Sequence, residues 1–159
     1  MKSTEAGPVP VVSTQRSLSD LAGTVAARLG FNRDRYLVAP GLYAVGTPDR
    51  TAQILVTANY KLSFDTLRFA LPGLNAWILV LDTCGINVWC AAGKGTFSTQ
   101  ELVSRVKASG LDKLVDHRRL VVPQLAATGV SARQVKKQSG FSVQFGPVRA
   151  SDINAWLDN

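Results

Sequence analysis

The residues whose types and spacing could support chemistry lie in one glycine-rich stretch, Gly85–Thr96. Asn87 is a good helix N-cap, and the residues after it predict a short helical turn that Gly93-Lys94-Gly95 ends. Cys90 would be the third residue of that turn, where free backbone amides and the helix dipole stabilise a thiolate. The small residues that follow add no bulk, so this thiol could face a large flat ligand at close range.

Cys90 also has a simpler interpretation, as a small buried hydrophobic residue. Three features favour the ligand-facing role: the small residues beside it, the cation Lys94, and a position where open parallel sheets bind ligands. A phosphate-binding loop is excluded, because that motif requires glycine where this chain has Val88.

The composition indicates one folded domain rather than a disordered chain. The 159 residues are 46% hydrophobic and 18% charged, with no apolar run long enough to span a membrane and no signal-peptide core. Cys84 and Cys90 alone provide neither a disulfide framework nor a complete zinc site, which favours a reducing, cytosolic setting. The net charge of +7 is scattered, with Arg118-Arg119 and Lys136-Lys137 as the only basic doublets, so we expect attraction to anionic ligands rather than a nucleic-acid partner.

The elements that must position this stretch follow from hydrophobic patterning. Ala76–Leu81 shows no polar alternation and predicts a strand buried on both faces. Strands and helices alternate from Gln53 onward, which predicts an α/β, Rossmann-like fold with a mainly parallel sheet and helices on both faces. Residues 1–15 are predicted to form a flexible N-terminal arm, and residues 16–159 the domain.

Capping signals predict further helices and the loops between them. These helices begin at Ser17, Ser63, Ser98, Ser131 and Ser151, and Glu101 completes a capping box with Ser98. Four loops then follow strands at the carboxyl edge of the sheet, where such folds bind ligands; they are 57–61, 82–96, 123–130 and 146–149. Each loop is rich in small residues, which lets backbone approach a broad ligand closely.

One segment carries a specific resemblance. Asn87-Val88-Trp89-Cys90-Ala91-Ala92-Gly93-Lys94 resembles, without interruption, the cap-helix signature of the corrinoid protein of microbial mercury methylation. Segments 59–65, 119–125 and 145–149 are similar to those shared with the corrinoid domain of the corrinoid iron–sulfur protein. The resemblance covers the chain from about Tyr43 onward.

The resemblance implies a cobalamin-type corrinoid held base-off, with its nucleotide tail in the domain and Cys90 as the lower axial cobalt ligand. A thiolate is a soft, strongly donating ligand, which would favour transfer of a methyl group with its bonding pair to Hg(II) and make the protein a corrinoid-dependent methyltransferase. The implied partners are a folate-linked methyl donor protein and a ferredoxin-like iron–sulfur electron donor. Family members continue into a membrane domain that is absent here, so we expect this soluble piece to act at the cytoplasmic face of the membrane.

The predicted cofactor-binding residues belong to the four loops. They are Thr57, Asn59, Tyr60, Asn87, Val88, Trp89, Cys90, Ala91, Ala92, Gly93, Lys94, Gly95, Thr96, Gln124, Leu125, Ala126, Thr128, Gly129, Val130, Gly146 and Pro147.

Two other functions remain open from the sequence. A methyl carrier for acetyl-CoA synthesis, resembling the corrinoid iron–sulfur protein, is the nearer one, although Cys90 argues against it because that protein is expected to lack a thiolate at the lower face. A non-catalytic basic binding module is the other, and the absence of a clustered basic patch argues against it. Trp89 is interpreted as an anchor of the cap turn in the core, Cys84 as a packing residue at a strand end, and His117 as a surface residue.

Overall fold

The computed structural model of the chain describes residues 1–16 and 37–159. Its strands are β1 (Lys2–Thr4), β2 (Gly7–Val9), β3 (Val11–Val12), β4 (Gly41–Val45), β5 (Gln53–Ala58), β6 (Ala76–Leu81), β7 (Arg119–Val122) and β8 (Ser142–Phe145). Its α-helices are α1 (Lys61–Phe69), α2 (Val88–Lys94), α3 (Thr99–Ser109), α4 (Leu111–Leu114), α5 (Ala132–Ser139) and α6 (Ile153–Leu157). Short 3-10 turns occupy Gln124–Ala126 and Ala150–Asp152.

The main sheet has the order β3-β4-β6-β5-β7-β8. Strands β5 to β8 run parallel to one another, whereas β4 is antiparallel to β6 and carries β3 at its outer edge. The predicted α/β fold with a mainly parallel sheet is therefore confirmed. The antiparallel edge was not predicted, because nothing in the short run Gly41–Val45 reveals the direction of its partner.

Two apolar cores lie on opposite faces of the sheet. Every residue of β6 is buried, as its uninterrupted apolar run predicts. Trp77 and Leu79 belong to the core that α3 and α5 cover, whereas Ile78 and Val80 belong to the core that α1 and α6 cover. The helices therefore flank both faces and hold the parallel strands between them.

The helix boundaries differ from the predictions at three places. The last helix, predicted to begin at Ser151, has a 3-10 turn over Ala150–Asp152, and α6 itself begins at Ile153. Helix α1 begins at Lys61 with Tyr60 as its N-cap, so Ser63 lies inside the first turn rather than at the cap. Helix α2 begins after Asn87 as predicted but continues through Gly93 and Lys94 to a left-handed C-cap at Gly95, φ 82°. The helix predicted from Ser17 lies outside the described residues.

The chain before residue 13 lies against the domain. Strands β1 and β2 form an antiparallel hairpin, β3 pairs with β4, and Val9 is buried in the core. The division into an arm and a domain stays a prediction. None of the helices in the described residues has the length and apolar character needed to cross a membrane.

Candidate functional site

A cavity of about 330 Å³ opens at the carboxyl ends of β5 and β7. These neighbouring strands lead to helices on opposite faces of the sheet, because α1 packs in one core and α5 in the other. Such a change of direction leaves a crevice at the carboxyl edge, which is where open α/β sheets bind ligands. The cavity therefore lies where the order of the strands predicts a site.

Eight of the sequence-predicted residues line the cavity. They are Thr57, Tyr60, Asn87, Val88, Trp89, Leu125, Gly146 and Pro147. All four predicted loops contribute at least one of them, so the structure brings the loops together as the topology predicts. Their role as ligand contacts stays a prediction.

The sequence analysis missed the floor and one wall of the cavity. The floor and the far rim are Leu55, Val56, Val121, Pro123, Val148, Ala150 and Ile153, and the wall is the face of α1 that carries Leu62, Ser63, Thr66 and Leu67. The helical spacing of the α1 residues was a usable signal, because positions three and four apart share one face.

The other predicted residues lie outside the cavity lining. They are Asn59, Cys90, Ala91, Ala92, Gly93, Lys94, Gly95, Thr96, Gln124, Ala126, Thr128, Gly129 and Val130. Several of them are held by the core: Ala91 and Ala126 are completely buried, and Val130 is nearly so. Gly93, Lys94 and Gly95 are exposed on the last turn of α2. Contact between any of these residues and a ligand stays a prediction.

Helix α2 forms one side of the cavity mouth through its first turn. The Asn87 side chain accepts a hydrogen bond from the Cys90 N–H at 2.9 Å, which satisfies one amide that the helix start leaves free. Ala91 and Ala92 bury the inner face of the helix, while Cys90 is half-buried. Trp89 is 68% exposed at the rim, so its interpretation as a core anchor is wrong.

Gly129 fixes the distance between α2 and the turn after β7. A Cβ atom at this position would lie 2.2 Å from the Phe97 carbonyl oxygen and 3.1 Å from the Ala92 Cα. Only glycine therefore permits this approach of two backbones. The predicted role of Gly129 as a small residue fits a packing contact better than a ligand contact.

Gly129→Ala is expected to lower the free energy of unfolding by about 1–3 kcal/mol, because the methyl group overlaps backbone that must shift. Gly93→Ala is the matched control, since Gly93 lies inside α2 with open space around its Cα, and alanine should stabilise that helix by up to about 1 kcal/mol. Urea unfolding of both variants measures the effects. Equal stability of the two would contradict the close approach at Gly129.

The described residues contain no group of three or more His, Cys, Asp or Glu side chains placed to hold a metal ion. His117 is half-buried, with its Nε2 atom 2.8 Å from the Ala52 carbonyl oxygen, and it precedes β7 at the opposite edge of the sheet from the cavity. Cys84 is exposed in the loop after β6 and has a positive φ of 57°. A packing role for Cys84 is therefore wrong.

Fold and site together define an α/β domain of Rossmann-like topology with an apolar, ligand-sized cavity at the carboxyl edge of its parallel strands. Residues 33–157 match the family described as the CO dehydrogenase/acetyl-CoA synthase delta subunit. The chain belongs to this family.

Curated relatives carry a related name. The gamma subunit of the acetyl-CoA decarbonylase/synthase complex of Archaeoglobus fulgidus is 31% identical over 123 residues, which are 76% of this chain and 26% of the relative. The corresponding subunit of Methanopyrus kandleri is 30% identical over 128 residues, 79% of this chain and 27% of the relative. The chain thus spans about a quarter of the length of the curated relatives it matches.

These comparisons correct the predicted function. The mercury-methylation prediction rested on the eight residues from Asn87 to Lys94. The family match covers most of the chain, and the relatives are named for acetyl-CoA chemistry. The prediction of methyl transfer to Hg(II) is therefore wrong, and the comparisons favour the alternative, a domain of the acetyl-CoA synthesis type.

Proposed function

We propose that this chain is a corrinoid-binding domain that carries a methyl group for acetyl-CoA synthesis or cleavage. The observation that carries the proposal is the apolar cavity between the ends of β5 and β7, with its mouth formed by all four carboxyl-edge loops. Membership of the CO dehydrogenase/acetyl-CoA synthase delta family supports the class of chemistry.

The cavity suits part of a corrinoid better than the whole. At about 330 Å³ it is at the lower end of the range of ligand pockets, so a flat aromatic base with its ribose would fit, whereas a corrin ring would not. Its walls are mainly apolar, and Thr57, Ser63 and Thr66 add hydroxyl groups. We therefore assign the nucleotide tail of a base-off corrinoid to the cavity and the ring to the mouth.

The exposed apolar side chains support this assignment of the mouth. Trp89, Leu125 and Val148 are exposed large hydrophobic residues, and all three line the cavity. Exposed apolar surface that is continuous with a pocket is typical of a binding site. These side chains would lie under or beside the ring and exclude water from its lower face.

Cys90 would be the protein's ligand to cobalt. It follows directly after Val88 and Trp89, which both line the cavity, and the residue is half-buried. A thiolate at this position would donate strongly to the metal. Carriers of the acetyl-CoA type are expected to lack such a ligand, so a cobalt spectrum that depends on Cys90 would distinguish this domain from them.

A bound corrinoid supplies a cobalt centre that accepts and gives up a methyl group. The chain's own residues would hold the tail, orient the ring and keep water from its lower face. The partners we propose for the complete protein are a folate-linked methyl donor and a ferredoxin-like iron–sulfur electron donor. Both would act with the full-length protein, of which this domain corresponds to about a quarter in the curated relatives.

Titration of the domain with cobalamin tests the proposal. We expect the visible spectrum to change from the base-on to the base-off form as the tail leaves cobalt and enters the cavity. Cobinamide, which lacks the nucleotide tail, should bind at least about tenfold more weakly, a difference of about 1.4 kcal/mol. Base-on cobalamin at saturation, or equal affinity for the two corrinoids, would show that the cavity does not hold the tail.

A further inference from the structure

The loop that joins β6 to α2, residues 82–87, is fixed by a side chain from the neighbouring strand end. The Asn59 Oδ1 atom accepts hydrogen bonds from the backbone N–H groups of Thr83 and Gly85, each at 3.0 Å. The Thr83 hydroxyl lies 3.0 Å from the same oxygen and 2.7 Å from the Ile86 carbonyl oxygen. The Asn59 Nδ2 atom donates to the Asp82 carboxylate over 3.4 Å.

The same loop contains an unusual backbone conformation. Cys84 and Gly85 have successive positive φ values of 57° and 72°, and for cysteine this region is sparsely populated. Such a conformation persists where the surrounding contacts determine it. Besides Asn59, the Glu101 carboxylate contributes: its Oε1 atom accepts the Asp82 N–H at 2.8 Å, and Arg105 donates to the same oxygen at 3.0 Å.

Asn59 is placed for support rather than for ligand contact. It is only 4% exposed, and it is not among the residues that line the cavity, although its neighbours Thr57 and Tyr60 are. The loop that it holds leads directly into Asn87, Val88 and Trp89, which form the α2 side of the mouth.

We propose that Asn59 is a positioning residue: through Thr83 and Gly85 it sets where the first turn of α2 stands, and thereby shapes the mouth of the cavity. This inference rests on the proposed corrinoid function. It replaces the predicted ligand contact of Asn59 with an indirect role that acts through the loop.

Asn59→Ala is the first test, measured without any ligand. Removal of the amide oxygen should speed hydrogen exchange at the Thr83 and Gly85 amides at least about tenfold, since both lose their acceptor. Exchange at the Cys90 amide should also become faster, although Cys90 does not touch Asn59. The Cys90 N–H donates to the Asn87 side chain, and the loop that Asn59 holds sets the position of Asn87. Unchanged exchange at Cys90 would overturn the proposal.

Asn75→Ala is the matched control. The Asn75 Oδ1 atom likewise accepts a backbone amide, that of Thr47 at 2.9 Å, but it does so before β6 at the opposite edge of the sheet. This variant should leave exchange at Thr83, Gly85 and Cys90 unchanged. Equal acceleration by both variants would show a general loss of stability and overturn the positioning role.

A charge exchange provides the rescue. Asn59→Asp keeps an oxygen for the two amides but places a second carboxylate opposite Asp82, so it should weaken cobalamin binding at least about tenfold. The double variant Asn59→Asp/Asp82→Asn restores one donor and one carboxylate in exchanged places, and it should recover affinity to within about threefold of the parent. A double variant no better than Asn59→Asp would contradict the proposed pairing.

The two proposals fail in different ways. If the parent domain does not bind cobalamin, the proposed function fails, while the exchange measurements still decide whether Asn59 positions α2. If the parent binds but Asn59→Ala binds equally well despite faster exchange, the loop does not shape the site and the positioning proposal is wrong.

Discussion

Ser63→Trp is expected to abolish the preference of this domain for cobalamin over cobinamide. Ser63 lines the cavity from the first turn of α1, and an indole there would occupy the space assigned to the nucleotide tail. The affinity for cobalamin should fall at least about tenfold, to that of cobinamide, and a tenfold loss corresponds to about 1.4 kcal/mol. The affinity for cobinamide should change little, because that molecule has no tail to exclude. Spectral titration with both corrinoids measures the effect.

Ser104→Trp is the control for this substitution. Ser104 is exposed on α3, on the other face of the sheet, so the same change adds the same bulk away from the cavity. Its thermal unfolding and its cobalamin affinity should match those of the parent. If Ser63→Trp is folded and still binds cobalamin with the parent's affinity, the tail lies elsewhere.

Cys90→Ala is expected to change the cobalt absorption of bound cobalamin while altering its affinity by less than about threefold. The substitution removes the sulfur donor, whereas the cavity that would hold the tail is lined by other residues. Cys90→His should restore part of the axial donation through a neutral imidazole, and its spectrum should differ from both because nitrogen donates less electron density than thiolate sulfur. Visible spectra at saturation distinguish the three proteins.

Cys84→Ala is the internal control for the axial ligand. Cys84 is also free, but it is exposed in the loop after β6, and neither of its chain neighbours lines the cavity, whereas Cys90 directly follows Trp89, which does. Its removal should leave the cobalt spectrum unchanged. If the parent and Cys90→Ala give the same spectrum, Cys90 is not a ligand, and the domain then agrees with the thiolate-free expectation for acetyl-CoA carriers.

The burial of β6 and three helix starts could be predicted from the sequence, because each depends on residues that are neighbours in the chain. The unbroken apolar run of β6 predicts burial on both faces, and Asn87, Ser98 and Ser131 cap their helices as expected because short polar side chains accept the free amides. Glu101 was predicted to reach back to its own helix start. Its carboxylate instead binds the Asp82 N–H and Arg105, partners that depend on how α3 packs beside β6.

The candidate site could likewise be predicted only in part. The alternation of elements predicted which loops meet, because the carboxyl ends of parallel strands share one edge. It could not show that the face of α1 with Ser63 and Leu67 would line the cavity, or that Trp89 would be exposed, since both depend on helix packing. The functional prediction failed for a related reason: it rested on the eight residues of α2 and its N-cap, whereas the family match extends over residues 33–157.

The position of β5 in the sheet also bears on how the domain is made. Although β5 precedes both β6 and β7 in the chain, it lies between them and pairs with each through a helical crossover. Contacts between strands so distant in sequence close long loops, which slows folding relative to helical proteins of similar size. During synthesis the cavity therefore cannot exist until Val121 and Gly146 have joined the sheet, so any ligand of this cavity could bind only after nearly the whole domain has left the ribosome.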